Sequence, residues 1–337
     1  MNVLVTSAGR RAYIIKYFRE ALNGGGKVFA CNSEPCAAFC CADDWAISPL
    51  ICDSAYIPFL LEYCREKQVD VLVSLLDMDL PVLAENRAEF EKQGVRLIVS
   101  GADFLRICND KMKTYEYLRE NGFLTPETFL RAEEAASAVR SGSLEYPIVV
   151  KPRFGCGSIG VEYAYDEEEL LFLEKRVRRM IRDSYLKYEQ PEDPEQVVFQ
   201  ECVSGQEYGL DIINDLDGNY RSSVIHRKLA MRAGETDICE IADDARIART
   251  AERLGRTTGH IANLDCDMVD HGGEIYILEM NARFGGGYPF SHMAGCDLPL
   301  AILKWCRNEE VPQDMLTAAT GLTGFKEISA ADGTGIF

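Results

Sequence analysis

The chain has 337 residues, of which 47% are hydrophobic and 27% charged, a composition typical of a globular protein with two or three domains. Its formal net charge of −18 disfavours nucleic acid and anionic membrane surfaces as partners. No apolar run approaches the roughly 18 residues that a membrane span needs. The 13 cysteines include no Cys-x-x-Cys pair, which disfavours a zinc or disulfide framework and predicts reduced thiols in the cytoplasm.

The first hundred residues alternate strand and helix patterns. Apolar strands at NVLVTSA, KVFACNS, VDVLVSL and VRLIVS are separated by helical segments, which predicts a parallel, doubly wound α/β unit. One glycine after the first strand is too few for a dinucleotide-binding turn, so an oxidoreductase of that kind is disfavoured. Polar residues at the strand ends either bind a ligand or serve as turn and cap residues: Arg10, Arg11, Asn32 and Asp77.

From about residue 101 the pattern becomes α+β, and a glycine-rich segment follows the strand EYPIVV. Lys151 ends this strand, and Gly155, Gly157 and Gly160 come soon after it. Glycines let main-chain N–H groups approach phosphate oxygens, while Ser158 adds a hydroxyl donor. The cation precedes the glycines, unlike in a Walker A loop. The segment predicts a phosphate cradle, with a plain glycine-rich turn as the alternative.

A second motif predicts a metal site. In the strand Glu274–Asn281, alternation places Glu279 and Asn281 on one face, and the preceding strand CDMV reaches it through DHGGE. Pairing across this hairpin brings Asp267 beside both side chains. Two carboxylates and an amide oxygen suit Mg²⁺, or Mn²⁺ in its place. Arg283, two residues beyond Asn281, reaches the same cleft.

These motifs resemble the ATP-grasp superfamily, and most closely its branch of single synthetase units similar to the pyrrolysine-pathway ligase and to the halves of the carbamoyl phosphate synthase large subunit. The resemblance covers nearly the whole chain. It implies a doubly wound pre-ATP-grasp domain at residues 1–105 and a two-lobed ATP-grasp domain. The small lobe, with the phosphate loop, would span 106–200, and the large lobe, with the metal site and a C-terminal helix, 201–337.

The resemblance also implies roles for single residues. Lys111, in NDKMKTYEYLRE, and Lys151 would bind phosphate, and the hinge VVFQECVSGQEYGLDI would meet adenine and ribose. The implied nucleotide-binding residues are Lys111, Lys151, Gly155, Gly157, Ser158, Gly160, Glu201, Cys202, Val203, Glu207 and Leu278. Asp267, Glu279 and Asn281 fall on the metal-ligand positions. Asp267 departs from many members, which carry Glu or Gln there.

The implied catalytic residues are Arg283 at the transferred phosphate, Lys151, and Arg232. Arg232 belongs to the segment RAGET, which is similar to an Arg/His-x-Gly-Asp/Glu-Ser/Thr element of the family, and with Glu235 it would orient an acceptor. Three aromatic residues after the metal strand either line an apolar pocket for an amino-acid side chain or pack in the core: Phe284, Tyr288 and Phe290.

The resemblance implies an ATP-dependent carboxylate–amine or carboxylate–ammonia ligase. A small, amino-acid-like carboxylate would attack ATP to give an acyl phosphate, an amine would displace the phosphate, and ADP and phosphate would be released. Two other functions remain open, a small-molecule kinase with the same site and a catalytically silent regulatory subunit that binds ATP. A homodimer is suggested by analogy with the family.

Overall fold

The computed structural model describes residues 1–155, 157, 159–188 and 195–336. Three sheets follow one another along this part of the chain. None of its helices is long and apolar enough to cross a membrane.

The amino-terminal unit is a five-stranded parallel sheet with helices packed on it. Its strands are β1 (Val3–Thr6), β2 (Val28–Asn32), β3 (Asp44–Ile47), β4 (Val71–Ser74) and β5 (Arg96–Ile98), in the order β3-β2-β1-β4-β5. Its helices are α1 (Ala12–Leu22), α2 (Tyr56–Lys67), α3 (Asp79–Glu85), α4 (Arg87–Lys92) and α5 (Ala102–Asn109). The predicted doubly wound α/β unit is confirmed. The sequence patterns missed β3, a four-residue edge strand with no buried residue.

The small lobe is built on a second sheet, which has four strands. It contains α6 (Lys111–Glu120), β6 (Thr128–Phe129), α7 (Ala132–Arg140), β7 (Ile148–Pro152), β8 (Glu162–Ala164), α8 (Glu167–Asp183) and β9 (Val197–Glu201), with the strand order β6-β9-β7-β8. All of its strand pairs are antiparallel. Leu170, Leu173 and Val177 of α8 pack with Ile148 and Phe199 in an apolar cluster that belongs to this lobe alone.

The large lobe is built on a six-stranded antiparallel sheet. Its elements are β10 (Gln206–Asn214), β11 (Tyr220–Arg232), β12 (Glu235–Ala242), α9 (Ala245–Thr258), β13 (Ala262–His271), β14 (Glu274–Asn281), α10 (Tyr288–Met293), α11 (Leu298–Cys306) and β15 (Thr323–Phe325). The strand order is β14-β13-β10-β11-β12-β15. The α+β character expected after residue 101 is therefore confirmed.

Two apolar clusters join the amino-terminal unit to the large lobe. One combines Leu4 and Leu72 with Leu210 and Met280, and the other combines residues of α1 with α10 and α11. The small-lobe sheet with α7 and α8 has its own cluster, whereas Leu118 of α6 packs in the first of the two shared clusters.

The aromatic residues after the metal strand belong to the second cluster. Phe284, Tyr288 and Phe290 are each at most 2% exposed, and the Phe284 ring packs edge-on against Phe18 of α1. Of the two alternatives the sequence left open, core packing is therefore correct, and these side chains do not form a substrate pocket.

Candidate active site

A cleft of about 330 Å³ lies between the sheets of the small and large lobes. Most of the predicted site residues line it: Lys111, Lys151, Gly155, Gly157, Glu201, Cys202, Val203, Glu207, Asp267, Leu278, Glu279 and Arg283. Gly160, Asn281 and Arg232 do not belong to its lining, and Ser158 lies outside the described residues. Arg11 brings the amino-terminal unit to the same cleft.

The glycine-rich segment after β7 has a backbone that glycine favours. Gly155, Gly157 and Gly160 have φ values of +106°, +72° and +73°, a region that other residues rarely adopt. A Cβ atom at Gly155 would also lie 2.4 Å from Leu186 Cδ2. Lys111 Nζ donates a hydrogen bond to the Gly155 carbonyl at 2.7 Å, which ties the start of α6 to this loop.

Asp110 and Arg153 hold this junction in place. Asp110 caps α6, since its carboxylate accepts hydrogen bonds from the main-chain N–H groups of Met112 and Lys113. The same carboxylate accepts hydrogen bonds from Arg153 Nε and Nη2, both at 2.8 Å. Because Lys111 is the first residue of the capped helix, its direction into the cleft is fixed by this ion pair.

Lys151 is a buried cation on the small-lobe wall. Its Nζ donates to Gln200 Oε1 at 2.7 Å, and Gln200 in turn donates to Thr128 Oγ1 at 2.9 Å. Burial and the nearby Lys111 ammonium lower the pKa of Lys151 to about 8. The side chain thus holds its proton weakly, as expected of a buried cation placed to bind an anion.

The large-lobe wall carries the hairpin of β13 and β14. Asp267 pairs directly with Glu279, and Asp265 with Asn281, so the predicted pairing of Asp267 and Glu279 is confirmed. The Asn281 amide donates to Glu279 Oε1 at 3.4 Å. Four oxygen-bearing side chains therefore face one another on two adjacent strands.

The carboxylates of this hairpin have perturbed acidities. Removal from water, together with the charges of Glu279 and Asp265, raises the pKa of Asp267 to about 6. Removal from water also acts on Glu279, but the small-lobe lysines Lys111 and Lys151 outweigh it and lower the pKa of Glu279. The side chains of the two walls are thus close enough to shift one another's ionisation.

The oxygen atoms of this hairpin fit a hard divalent cation. Within the described residues, no group of three or more His, Cys, Asp or Glu side chains is arranged to hold a metal ion on its own. Asp267, Glu279 and Asn281 supply two carboxylates and one amide, which leaves positions for water and phosphate oxygens. This incomplete oxygen set suits Mg²⁺, which usually keeps waters and binds through one or two carboxylates together with substrate phosphates.

The other end of the cleft contains the hinge after β9. The Glu201 N–H donates to the Glu127 carbonyl at 2.8 Å, and the Glu127 N–H donates to Glu201 Oε2 at 3.0 Å. The Glu201 N–H is therefore already used within the sheet. The main-chain groups of the hinge that could contact a nucleotide base are therefore the Glu201 carbonyl and those of Cys202 and Val203. Glu207 lies next along the chain, with its side chain about half exposed at 51%.

Arg283 lines the cleft but is held by carboxylates on both sides. Its Nε and Nη2 donate to Asp77 Oδ2 at 3.2 and 3.0 Å, and its Nη1 donates to Asp265 Oδ2 at 2.5 Å. Arg11 makes a parallel link, since its Nη1 donates to the carbonyls of Leu75 and Phe284 at 2.8 and 2.9 Å. Of the four strand-end residues singled out from the sequence, Arg11 and Asp77 thus reach the large lobe.

The segment RAGET forms the turn between β11 and β12. Gly234, Glu235 and Thr236 line the cleft, and Lys326 Nζ donates to Glu235 Oε2 at 2.9 Å. Arg232 instead lies half exposed at the edge, where its guanidinium pairs with Asp237 of the same hairpin. The structure therefore brings Glu235 into the site and leaves Arg232 outside it.

The sequence patterns missed several residues of the site. Asp265 lies two positions before Asp267, so the alternation that identified Glu279 and Asn281 would also have found it. Lys228 Nζ lies 2.8 Å from Asp267 Oδ1, and Gln200 holds Lys151, but neither belongs to a recognisable motif.

A buried polar network beneath the cleft was missed as well. Ser291 donates to Asp211 Oδ2 at 2.6 Å and lies 2.7 Å from His226 Nε2, while Asn263 donates to Asp211 Oδ1 at 2.6 Å. Burial raises the pKa of Asp211 to about 6 and lowers that of His226 to about 3. A Cβ atom at Gly287 would lie 2.9 Å from His226 Nδ1, so the network supports the glycine segment that lines the cleft.

Comparisons with known proteins agree with this geometry. Residues 3–98 match the family described as "PylC-like, N-terminal domain", and residues 108–287 match the "ATP-grasp domain". A pyruvate carboxylase subunit of Methanothermobacter thermautotrophicus is 26% identical over 242 residues, which cover 68% of this chain and 48% of that protein. The chain spans about half or less of the length of the curated relatives it matches.

Solved structures share the fold. Biotin carboxylase from Campylobacter jejuni, in a beta-gamma-ATP complex, superposes with a TM-score of 0.72 at 17% identity, covering 94% of this chain and 73% of that one. N5-carboxyaminoimidazole synthetase from Staphylococcus aureus superposes with a TM-score of 0.68 at 14% identity, covering 93% and 78%. The glycine-rich loop, the two lysines Lys111 and Lys151 and the β13–β14 hairpin thus lie within a matched domain that spans more than half of the sequence. The chain therefore belongs to the ATP-grasp family.

Proposed function

We propose that this protein is an ATP-dependent ligase that joins a small carboxylate to an amine or ammonia through an acyl phosphate. ATP would be converted to ADP and phosphate with each turnover.

One observation carries the proposal: Lys151 of the small lobe and Glu279 of the large lobe line opposite walls of one cleft. Lys111 adds a second cation on the small-lobe side, and Asp267 adds a second carboxylate on the large-lobe side. Opposed charges of this kind are unsuited to an apolar substrate. They suit a polyphosphate carried with Mg²⁺, whose negative oxygens would face the lysines while the metal would face the carboxylates.

The nucleotide would span the length of the cleft. Its adenine would meet the main chain of Glu201 to Val203 and the side chain of Leu278, and its ribose hydroxyls would bind Glu207. The phosphates would lie under the glycine loop. Asp267, Glu279 and Asn281 would hold Mg²⁺, which supplies charge neutralisation at the phosphate oxygens.

Chemistry in this arrangement depends on positioning and charge. A carboxylate oxygen of the substrate attacks the γ-phosphorus, the bond to ADP breaks, and an acyl phosphate forms; the amine then attacks the acyl carbon and phosphate leaves. Lys151 and Lys111 would stabilise the charge on the transferred group. Closure of the loop at Gly155 and Gly157 would exclude water, which otherwise hydrolyses the acyl phosphate.

Arg283 would support the transferred phosphate from the large-lobe side. Its guanidinium is shared by Asp77 and Asp265, so its main effect would be to fix the position of Asp265 beside the metal carboxylates. The acceptor would enter next to Arg11, Glu235 and the glycine pair Gly286 and Gly287, which also line the cleft. The homodimer suggested by analogy stays a prediction.

An oxygen-isotope experiment tests this reaction against a kinase. The protein is incubated with ATP, an amine and a carboxylate labelled with ¹⁸O. A ligase that uses an acyl phosphate transfers one labelled oxygen into the released inorganic phosphate, and phosphate appears only when the amine is present. A kinase would instead leave a stable phosphorylated product and no labelled inorganic phosphate. Unlabelled phosphate together with an amide product would exclude the acyl phosphate.

A further inference from the structure

Lys228 is a buried cation in the cleft that the proposed reaction does not use. It lies on β11, its side chain is 7% exposed, and its Nζ lies 2.8 Å from Asp267 Oδ1 and 3.7 Å from Glu207 Oε2. Asp267 belongs to the proposed metal site and Glu207 to the proposed ribose site. Lys228 therefore lies between the proposed metal site and the proposed ribose site.

The sheet brings Lys228 to Asp267 across the intervening strand β10. Gly209 on β10 pairs with His226 on one side and with Asp267 on the other. A Cβ atom at Gly209 would lie 3.5 Å from Lys228 Cε and 3.6 Å from Asp267 Oδ1. The lysine stem thus runs over a glycine, where no side chain comes between the ammonium and the carboxylate.

The carboxylates of the hairpin each have a cation beside them. Asp265 accepts a hydrogen bond from Arg283, and Glu279 faces the two lysines of the small lobe. Asp267 is paired with Lys228.

We propose that Lys228 is a tethered cation that occupies Asp267 in the nucleotide-free protein, so that the divalent metal is admitted together with the nucleotide. This inference rests on the proposed metal site. Without a nucleotide, a metal ion that approaches Asp267 meets the Lys228 ammonium, which is already in contact with that carboxylate. Repulsion between the two cations then weakens metal binding. A nucleotide arriving with the metal offers phosphate oxygens to the displaced ammonium, which removes this penalty. Metal and nucleotide binding are thereby coupled.

Binding of Mn²⁺ tests the proposal without turnover. Free Mn²⁺ is measured by electron paramagnetic resonance in titrations of the purified protein, with and without a non-hydrolysable ATP analogue. Wild-type protein is expected to bind Mn²⁺ weakly alone and much more tightly with the analogue. Lys228→Met is expected to bind Mn²⁺ alone at least about tenfold more tightly than wild type, and the gain from the analogue should shrink by a similar factor.

Matched variants separate charge from packing. Lys228→Arg keeps the cation and should retain weak Mn²⁺ binding in the absence of nucleotide. Lys175→Met removes an exposed lysine of α8, outside the cleft, and should behave as wild type. Thermal unfolding verifies that each variant folds. If Lys228→Met does not fold, Lys228→Gln serves as a second neutral variant.

Two results would overturn the inference. In the first, Mn²⁺ binds Lys228→Met no more tightly than wild type while Glu279→Gln abolishes Mn²⁺ binding; the metal site then stands and only the role of Lys228 fails. In the second, no variant binds Mn²⁺ even with the nucleotide analogue, and the proposed metal site fails together with the inference.

Discussion

Asp77 and Arg283, 206 positions apart in the chain, form a buried ion pair that joins the amino-terminal unit to the end of the metal hairpin. The Asp77 side chain is 6% exposed and that of Arg283 is 5% exposed. Since Arg283 also donates to Asp265, one guanidinium connects the end of β4 to the carboxylates of β13. The amino-terminal unit therefore helps to build the site from outside the ATP-grasp domain.

We expect Asp77→Ala to destabilise the protein strongly. Removing one partner of a buried ion pair leaves an uncompensated charge, which costs about 3 to 5 kcal/mol, although Asp265 would still hold part of Arg283. The free energy of unfolding is measured with urea. Asp103→Ala is the control, because the Asp103 side chain is 98% exposed and its ion pair with Arg106 lies at the surface. Equal stabilities of the two variants would contradict the buried link.

Nucleotide affinity should depend on the protonation of Lys151. Its pKa is lowered to about 8, so the cation that meets phosphate is present below this pH and is lost above it. Affinity for an ATP analogue is expected to be constant from about pH 6.5 to 7.5 and to fall by up to about tenfold per pH unit above 8. Equilibrium titration across this range measures the effect.

The matched variant for this prediction is Lys151→Arg, whose guanidinium stays charged throughout the range. It should bind more weakly than wild type, because the buried position is shaped for lysine, but with a flat profile between pH 8 and 9.5. A wild-type profile that is equally flat would contradict the lowered pKa of Lys151 in the nucleotide site.

We expect Gly155→Ala to impair nucleotide binding. The substitution places a Cβ atom 2.4 Å from Leu186 Cδ2 at a φ of +106°, so the loop must shift. Its cost in folding is about 1 to 3 kcal/mol, and affinity for the ATP analogue should fall as well. Gly142→Ala is the control, because Gly142 also has a positive φ, +77°, but has open space around it and lies outside the cleft lining. It should lose stability and keep its nucleotide affinity.

The network around Asp211 predicts a pH-dependent stability defect in Ser291→Ala. Burial raises the pKa of Asp211 to about 6, so its ionisation lowers stability as the pH rises from about 4 through 6. The Ser291 hydrogen bond offsets part of this loss above pH 6. Its removal should cost about 1 to 3 kcal/mol at pH 8 and distinctly less at pH 5. Urea unfolding at both values gives the difference, with the exposed Ser54→Ala as control. A cost independent of pH would contradict the role of ionised Asp211.

The sequence was sufficient for the parts of the site that lie on regular local patterns. Alternation along β14 and the short connection to β13 predicted that Asp267 would face Glu279, because strand register follows from a hairpin with a tight turn. Local sequence also identified the glycine-rich segment. Gly155, Gly157 and Gly160 all have positive φ values, which glycine adopts more readily than other residues.

Contacts set by the packing of distant elements could not be predicted in this way. The approach of Lys228 to Asp267 depends on three neighbouring strands and on Gly209 between them, and the link of Asp77 to Arg283 depends on how two domains pack. Arg232, in contrast, was predicted to lie in the site but does not line the cleft. A motif match placed it in the site, but at the end of the β11–β12 hairpin its side chain forms an ion pair with Asp237 outside the cleft lining.

The most direct test of the proposed function is the release of ADP and phosphate by the purified protein. Mg·ATP is supplied with a panel of amino acids and small carboxylates, each combined with ammonia or an amine, and Glu279→Gln serves as the matched control. A ligase should release ADP and phosphate in equal amounts with one carboxylate–amine pair, and the variant should release neither. Tight nucleotide binding with no release for any pair, or release that is unchanged in Glu279→Gln, would contradict the account.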